Sequence, residues 1–374
     1  MKVKIARDEL LTALQRVQGV VEKRNTMPSL ANVLLEAKPE GLDVLATDLE
    51  IWMRGLYKAT VEEPGAVTFS ARKLYEILRE IKDPEISILV TDNCLVTIQA
   101  GRSQFKVVGL PSQEFPVVPS IEREGLIPLP GSGLLELIRK TLFAVGDNDT
   151  RYVLNGQLFI VSSSGGKPLI RLVGTDGHRL AVAEREFEIQ GGSAPLPEVK
   201  VILPRKAAHE IRRLLEEGGD EPMIGFTQNT MIFRKSGLVL TSRLMEGTYP
   251  NYQQVIPKES QKKISVNREE LEGALRRVSV LSREKGYAVK MTFAPDHITL
   301  FSSHPDTGEA TEEVPARFNG EEFSTGFNAR YFLDVLGVMN GENLTLQMEA
   351  PLSPCLLREP ENLQFMSVIM PVKV

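Results

Sequence analysis

The sequence predicts an α+β protein of three tandem similar domains, each with two helices packed on antiparallel sheets. A short apolar run followed by a helical pattern occurs three times, at residues 69–78, 203–211 and 326–336. An earlier helical pattern also recurs, at 8–21, 133–145 and 267–281. One copy spans about 125 residues, which suits a whole domain and is too long for a solenoid repeat.

The first helix of each copy is amphipathic. Leu10, Leu14, Val17 and Val21 recur at helical spacing in the first copy, and Asn267 is expected to cap the equivalent helix of the third. We therefore expect helices at 7–23, 72–82, 131–146, 205–217, 268–285 and 328–339.

A β-hairpin follows the first helix of each copy, because short apolar runs flank Gly, Pro or Asp turns. Proline-containing breaks after the first and second copies predict domains at 1–122, 123–258 and 259–374. The predicted hairpin strands are 33–37 with 42–47, 157–162 with 169–173, and 289–294 with 297–302, and further strands are expected at 86–90, 95–100 and 104–108.

Composition is typical of a globular protein, with 42% hydrophobic and 25% charged residues among 374. No apolar run approaches the ~20 residues of a membrane helix, and the charged N-terminus is unlike a signal peptide. Cys94 and Cys355 stand in no metal-type spacing. These features predict a reduced, cytoplasmic location.

Charge is distributed unevenly along the chain. The net charge is −5, yet the six predicted helical segments hold 19 Lys or Arg against 14 Asp or Glu. Positive helices on a negative body indicate a local nucleic-acid surface, although solvated helix faces would give the same count.

The sequence contains no recognisable catalytic or cofactor-binding motif, which predicts that the protein is not an enzyme and uses no cofactor. Pro168 stands where a phosphate loop needs Ser or Thr, and the four histidines share no metal-ligand spacing. The polar cluster at 174–180 lacks a nucleophile. A duplicated enzyme scaffold is one alternative, but it would need a buried titratable cluster, and none is evident in the sequence. A non-ring structural DNA-binding protein, the remaining alternative, usually carries a strongly basic net charge.

Five motifs resemble the bacterial DNA polymerase sliding clamp family, the beta subunit of DNA polymerase III: GTDGHRLAV at 174–182, RYVLNG at 151–156, TDLE at 47–50, YPNY at 249–252 and MPVKV at 370–374. The resemblance covers the whole chain in order. It implies the DNA clamp fold and a head-to-tail homodimer whose six domains close a ring around double-stranded DNA. Such a processivity factor slides without base readout, and a separate ATP-driven clamp loader opens it.

The resemblance also implies an apolar groove between the second and third domains. It would take a short linear peptide from the polymerase catalytic subunit, the clamp loader or repair proteins. Leu154 and Val368 would equally suit an ordinary core, and Val372 and Val374 depart from the side chains common in the family. The matching positions are Leu154, Thr175, Gly177, His178, Arg179, Leu180, Pro250, Val255, Val368, Met370, Pro371, Val372, Lys373 and Val374.

Two further residue sets follow from the ring. Arg72 and Arg205 occupy equivalent places in their copies, whereas Tyr331 stands where Lys73 and Lys206 stand in the others. The expected DNA-channel residues are Arg24, Arg72, Asn148, Tyr152, Arg205 and Lys206. At the subunit interface, Phe105 and Val107 would meet Val280 and Leu281, with basic Lys73, Arg102 and Lys106 facing acidic Asp306, Glu309, Glu312 and Glu313.

Overall fold

A computed structural model describes residues 1–21, 27–117, 125–164, 167–187, 198–257 and 262–373. Its contacts divide the chain into two units. The first combines Met1–Gly131 with His209–Leu244, and the second combines Ser132–Ala208 with Met245–Val374. The expected boundaries near 122 and 258 lie outside the described residues and stay predictions.

All six predicted helices are present, and each ends before the residue expected for it; the first and the fifth are shortened most. The first ends at Val17 and not at residue 23, and the fifth ends at Val278, where a 3-10 helix, Ser279–Lys285, takes over. The Ser279 hydroxyl donates to the Arg276 carbonyl at 3.1 Å, a local bond that competes with helix continuation. The helices are α1 Arg7–Val17, α2 Ala71–Glu80, α3 Gly131–Leu142, α4 Arg205–Glu216, α5 Arg268–Val278 and α6 Ala329–Leu336.

The helix starts agree with capping chemistry. Asn267 Oδ1 accepts the backbone N–H groups of Glu269 and Glu270 at 3.0 and 3.1 Å, so the predicted cap of α5 is confirmed. Asn328 caps α6 in the same way, through the N–H of Arg330 at 2.9 Å.

The strands follow the threefold repeat of the sequence, and the predicted hairpins are confirmed. The first third contains β1 Lys2–Ala6, β2 Asn32–Lys38, β3 Gly41–Thr47, β4 Ile51–Tyr57, β5 Ala59–Glu63, β6 Gly65–Ser70, β7 Glu85–Val90, β8 Leu95–Ala100 and β9 Ser103–Val108. The second contains β10 Ile127–Pro128, β11 Gly156–Ser164, β12 Lys167–Thr175, β13 Arg179–Glu186, β14 Val199–Pro204, β15 Met223–Phe226, β16 Thr230–Lys235 and β17 Leu238–Arg243. The third contains β18 Lys263–Asn267, β19 Ala288–Phe293, β20 His297–His304, β21 Gly308–Phe318, β22 Phe323–Asn328, β23 Asn343–Gln347, β24 Cys355–Glu359 and β25 Asn362–Ile369.

The first unit contains two antiparallel sheets. A five-stranded sheet has the order β5-β1-β7-β8-β9, and an eight-stranded sheet has the order β10-β15-β16-β17-β4-β3-β2-β6. Helix α1 packs on β3 and β4 of the larger sheet and buries Leu10, Leu14 and Val17, as its periodicity predicts. Val21, predicted on the same face, lies beyond the end of the helix and is half-buried.

The second unit contains one twelve-stranded sheet, in the order β14-β11-β12-β13-β25-β24-β23-β18-β21-β20-β19-β22. Helix α5 buries Leu271, Leu275 and Val278 and packs against β20 and β21. Among the helices that the structure describes, none combines the length and hydropathy needed to span a bilayer.

Consecutive thirds of the chain share sheets. Strand β17 of the second third pairs antiparallel with β4 of the first, and β25 of the third pairs antiparallel with β13 of the second. In the second of these joints Leu180 lies opposite Val368. The same joint is therefore made twice along one chain.

Candidate functional site

The centre of the predicted groove is a tight turn between β12 and β13. Asp176 Oδ1 accepts the backbone N–H groups of His178 and Arg179 at 2.9 and 3.0 Å, and Thr175 Oγ1 accepts that of Gly177 at 3.1 Å. Gly177 has a left-handed φ of 82°, and a Cβ there would lie 2.4 Å from the Arg151 guanidinium. Both the backbone and the neighbour therefore favour glycine.

Arg151 fixes the turn from the side of the preceding segment. Its Nη2 donates to the Asp176 carbonyl at 2.8 Å and to Asp149 Oδ2 at 2.7 Å. Hydrogen bonds from Arg151 lower the pKa of Asp149 to about 2. The N–H of Leu154, which lies on the 3-10 helix Tyr152–Asn155, donates to the Arg151 carbonyl at 2.9 Å. Leu154 is thus connected to the turn through Arg151. Arg151 belongs to the RYVLNG motif but is not among the groove residues predicted from the sequence.

Two residues of the predicted groove belong to a buried apolar cluster. Leu180 and Val368, 2% and 1% exposed, belong to one buried cluster with Tyr249, against which Tyr252 and Ile256 also pack. Burial raises the pKa of Tyr249, and its hydroxyl donates to the Val173 carbonyl at 3.4 Å. The two tyrosines come from the YPNY motif but were not predicted as site residues. The remaining buried members are Leu158, Val173, Val182, Ile202, Met245 and Leu356.

The C-terminal tail is held at the same turn. The N–H of Met370 donates to the His178 carbonyl at 2.9 Å, and the N–H of Val372 donates to the Gly326 carbonyl at 2.8 Å. Pro371 is half-buried between them. The Ser367 hydroxyl adds a buried bond to the Leu180 carbonyl at 2.8 Å.

Backbone pairing therefore brings most of the predicted groove residues together around one turn. Val255 is 45% exposed, and Pro250, Gly177, His178 and Lys373 are exposed as well. Val374 lies outside the described residues.

Arg179 differs from the other predicted groove residues, since its side chain is only 11% exposed. Its guanidinium donates to Asp176 Oδ2 at 3.0 Å, to Asp334 Oδ2 at 2.5 Å and to the Phe143 carbonyl at 2.6 Å. It also lies over the Tyr331 ring, 4.6 Å from the centroid. The side chain points into the protein, so it offers little surface to a ligand.

The predicted DNA-channel residues fall into two groups. In the second unit, Arg205 Nη1 lies 3.1 Å from Asp147 Oδ2, beside the exposed, left-handed Asn148. Lys206 follows on the first turn of α4, and Tyr152 is 62% exposed.

In the first unit, the Arg72 side chain is 73% exposed and its Nε lies 2.8 Å from Glu76 Oε1. Lys73 shares that carboxylate at 3.0 Å, and together the two cations lower the pKa of Glu76. Arg24 lies outside the described residues.

Apart from Lys73 on α2, the predicted interface residues lie on or next to β9 and around β21. On β9, Phe105 and Val107 are half-buried, whereas Lys106 is exposed like the preceding Arg102. Among the described strands, β9 pairs with β8 alone.

On the other side, Val280 is 54% exposed and Leu281 is half-buried on the 3-10 helix that follows α5. Arg277 donates to both carboxylate oxygens of Glu312 at 3.0 to 3.1 Å and lowers its pKa. The charge of Glu312 is therefore already paired within the chain. Asp306, Glu309 and Glu313 are exposed.

Comparison with protein families gives three consecutive matches to the DNA polymerase III beta subunit. The N-terminal domain of that family matches residues 1–119, the central domain 128–251 and the C-terminal domain 253–373. The three matches follow the order of the three sequence copies.

Curated relatives are similar over the full chain. The beta sliding clamp of Caulobacter vibrioides is 38% identical over 376 residues, and that of Pseudomonas putida is 35% identical over 378 residues, with 100% of each chain covered.

Solved structures of relatives have the same fold. A crystal structure of the Caulobacter crescentus beta sliding clamp superposes with a TM-score of 0.92 at 38% identity. The Bartonella birtlesii sliding clamp, solved with griselimycin bound, gives a TM-score of 0.93 at 34% identity. Both matches cover 100% of each chain.

Proposed function

This chain belongs to the DNA polymerase III beta subunit family, and from that premise we propose how its residues perform the work of a sliding clamp. It is a DNA sliding clamp, a non-enzymatic processivity factor that encircles duplex DNA and tethers the replicative polymerase. The clamp loader and other replication and repair proteins are its further partners. Its place is the cytoplasm, where bacterial DNA is replicated.

The observation that carries the ring is the joint made twice within the chain. At each joint the last strand of one third pairs with a hairpin strand of the preceding third, β17 with β4 and β25 with β13. By position in the repeat, β9 is the last strand of the first third, and the first half of β21 is the hairpin strand of the third. Neither has a strand partner on its outer side among the described residues. A second copy of the chain would supply both partners, which supports a head-to-tail homodimer.

The side chains at these two edges support the same interface. Phe105 and Val107 on β9 and Val280 and Leu281 beside β21 supply apolar surface at the centre. Arg102 and Lys106 oppose Asp306, Glu309 and Glu313 at the rim. Lys73 and Glu312 contribute less, because Glu76 and Arg277 already pair with them. We propose this set as the subunit contact, with clamp domains at 1–122, 123–258 and 259–374.

The Lys and Arg residues on the helices are suited to line the DNA channel. A clamp has to slide, so phosphate contacts from Lys and Arg serve it and base readout does not. Arg72 and Arg205 lie in the first turns of equivalent helices, and each has a carboxylate close to its guanidinium. We propose that they line the channel with Arg24, Asn148, Tyr152 and Lys206.

The groove around the 175–179 turn suits partner peptides. Leu180 and Val368 lie in the buried apolar cluster that supports this surface. The half-buried Met370, Pro371 and Val372 and the exposed Pro250 offer apolar contacts, and the exposed His178 adds a polar group. Such a surface binds short apolar anchors weakly and exchangeably, as successive use by several replication proteins requires.

Retention on DNA of different topology tests the clamp function. After a clamp loader and ATP place the protein on nicked circular DNA, we expect it to co-elute with the circle in high salt and to leave once a restriction enzyme cuts the circle. A non-ring DNA-binding protein would elute equally from circular and linear DNA, and that result would contradict the proposal.

A further inference from the structure

The turn that organises the groove is present twice in the chain, and the two copies differ at one informative position. Residues 47–51 make the same bonds as 175–179: Thr47 Oγ1 accepts the Leu49 N–H at 2.9 Å, and Asp48 Oδ1 accepts the Ile51 N–H at 2.6 Å. Ile51, which is 1% exposed, stands where the second turn has Arg179. The turn therefore forms without an arginine, and Arg179 has a different role.

The hydrogen bonds of Arg179 connect elements of the second and third copies. Its guanidinium binds Asp334 on α6 of the third copy at 2.5 Å and the Phe143 carbonyl just after α3 of the second copy at 2.6 Å. Tyr331, one turn before Asp334 on α6, covers the same guanidinium. Arginine suits this place because its planar fork can reach three acceptors at once.

A continuous series of bonds runs from α6 to the tail. Asp334 holds Arg179, Arg179 holds Asp176 Oδ2 at 3.0 Å, and Asp176 Oδ1 holds the N–H of His178 at 2.9 Å. The His178 carbonyl then accepts the N–H of Met370 at 2.9 Å. A shift of α6 relative to the turn would therefore move the rim and the tail together.

We propose that Arg179 is a positioning residue of the groove, through which Asp334 and Tyr331 set how tightly a partner peptide binds. The inference rests on the groove being the peptide site. Asp334 keeps the turn and the tail in the conformation that binds the peptide. The conformational entropy of ordering them is therefore not lost again on binding.

Affinity of a labelled peptide tests the positioning role. With a fluorescein-labelled clamp-binding peptide from the replicative polymerase, we expect Asp334→Asn to weaken binding about tenfold, within the range of couplings between sites. Asp334→Glu, which restores the carboxylate, should recover most of the affinity. Circular dichroism and sedimentation would establish that each variant is folded and dimeric.

A matched control separates positioning from general destabilisation. Asp43, 1% exposed in the first third, pairs with Arg54 and Lys38. Asp43→Asn removes a buried carboxylate without touching the turn, so it should lower stability and leave peptide affinity unchanged. An equal loss of affinity in this variant would overturn the positioning role.

Amide hydrogen exchange gives a direct readout of the tail. The Met370 N–H should exchange faster in Asp334→Asn and at the wild-type rate in Asp43→Asn. Unchanged exchange and affinity in Asp334→Asn would overturn the inference. If deletion of the tail in the same assay abolished binding, the groove itself would stand; if deletion had no effect, the groove proposal would fail first.

Discussion

Leu49 in the first copy and Gly177 in the second copy occupy the same position of the same turn, and both have left-handed backbones, with φ of 77° and 82°. A leucine in that region carries strain of about 1 kcal/mol, which glycine avoids. In the groove copy the space beside the α-carbon of Gly177 belongs to Arg151. The glycine therefore keeps the Arg151 link to the turn.

Gly177→Ala should destabilise the protein by about 1 kcal/mol through the left-handed φ and should also weaken peptide binding, because a methyl group displaces Arg151. Urea unfolding and fluorescence anisotropy measure the two effects. Gly218→Ala is the matched control, since Gly218 has a φ of 68° and nothing within 4 Å of the added Cβ. It should lose similar stability and bind peptide normally. Normal binding by Gly177→Ala would contradict the role of Arg151.

Deletion of residues 370–374 should abolish binding of the polymerase peptide and of the clamp loader, because Met370 and Val372 carry the tail along the groove. The dimer should persist, since the proposed interface lies elsewhere. Anisotropy and light scattering measure these outcomes, and unchanged peptide affinity would remove the tail from the site.

Replacing Arg72 and Arg205 with alanine should weaken DNA binding and reduce the slope of log affinity against log salt by about 2, or about 1 for each lost phosphate contact. A filter-binding salt titration measures the slope. Arg234 and Lys290, exposed on strands, provide the control pair, whose replacement should leave the slope unaltered. If both pairs behaved alike, Arg72 and Arg205 would lie outside the channel.

Val280→Ala combined with Leu281→Ala should give a folded monomer that binds partner peptide but does not stay on circular DNA, because apolar anchors supply most of an interface's affinity. Sedimentation and circular dichroism test this. Leu352 and Leu363, 75% and 72% exposed in the same third, are the matched truncations and should leave the dimer intact. A Val280 and Leu281 variant that stays dimeric at micromolar concentration would show that the interface is elsewhere.

Asp149 should titrate near pH 2 by NMR, and Arg151→Ala should return its pKa toward the ordinary value of 3.8. Because the pKa is lower in the folded state, the bond to Arg151 stabilises the fold fully above pH 3.8 and is lost as the pH falls through about 2. The stability difference between wild type and Arg151→Ala should therefore shrink across this window. A constant difference would indicate that Arg151 acts through other contacts.

Much of the local structure could be predicted from the sequence, because helices and hairpins leave periodic patterns. Leu10, Leu14 and Val17 indicated the buried face of α1, and Asn267 indicated the start of α5. Helix ends were harder to predict. At the end of α5 the Ser279 hydroxyl bonds the Arg276 carbonyl, a side-chain contact that hydrophobic periodicity does not reveal.

The arrangement of the site depends on pairings between distant residues, which a local pattern does not contain. The pairing of Leu180 with Val368 joins strands 188 positions apart in sequence. The family resemblance implies that Arg179 belongs to the groove, whereas in the structure its guanidinium binds Asp334 and its side chain is only 11% exposed. The sequence placed Arg151 and Tyr249 in motifs but did not indicate their contacts. Those contacts, with the Asp176 and Val173 carbonyls, depend on the tertiary fold.

The two unlike open edges, β9 and β21, have a consequence for mixed assemblies. In the proposed two-subunit ring each joint would use β9 of one subunit and β21 of the other. If one subunit is damaged at β9 and the other at β21, one joint of their hybrid collects both lesions and the other joint is entirely intact. Such a hybrid would be an open, C-shaped dimer whose two subunits are joined at one interface. The same two lesions placed in a single subunit would instead weaken both of its joints.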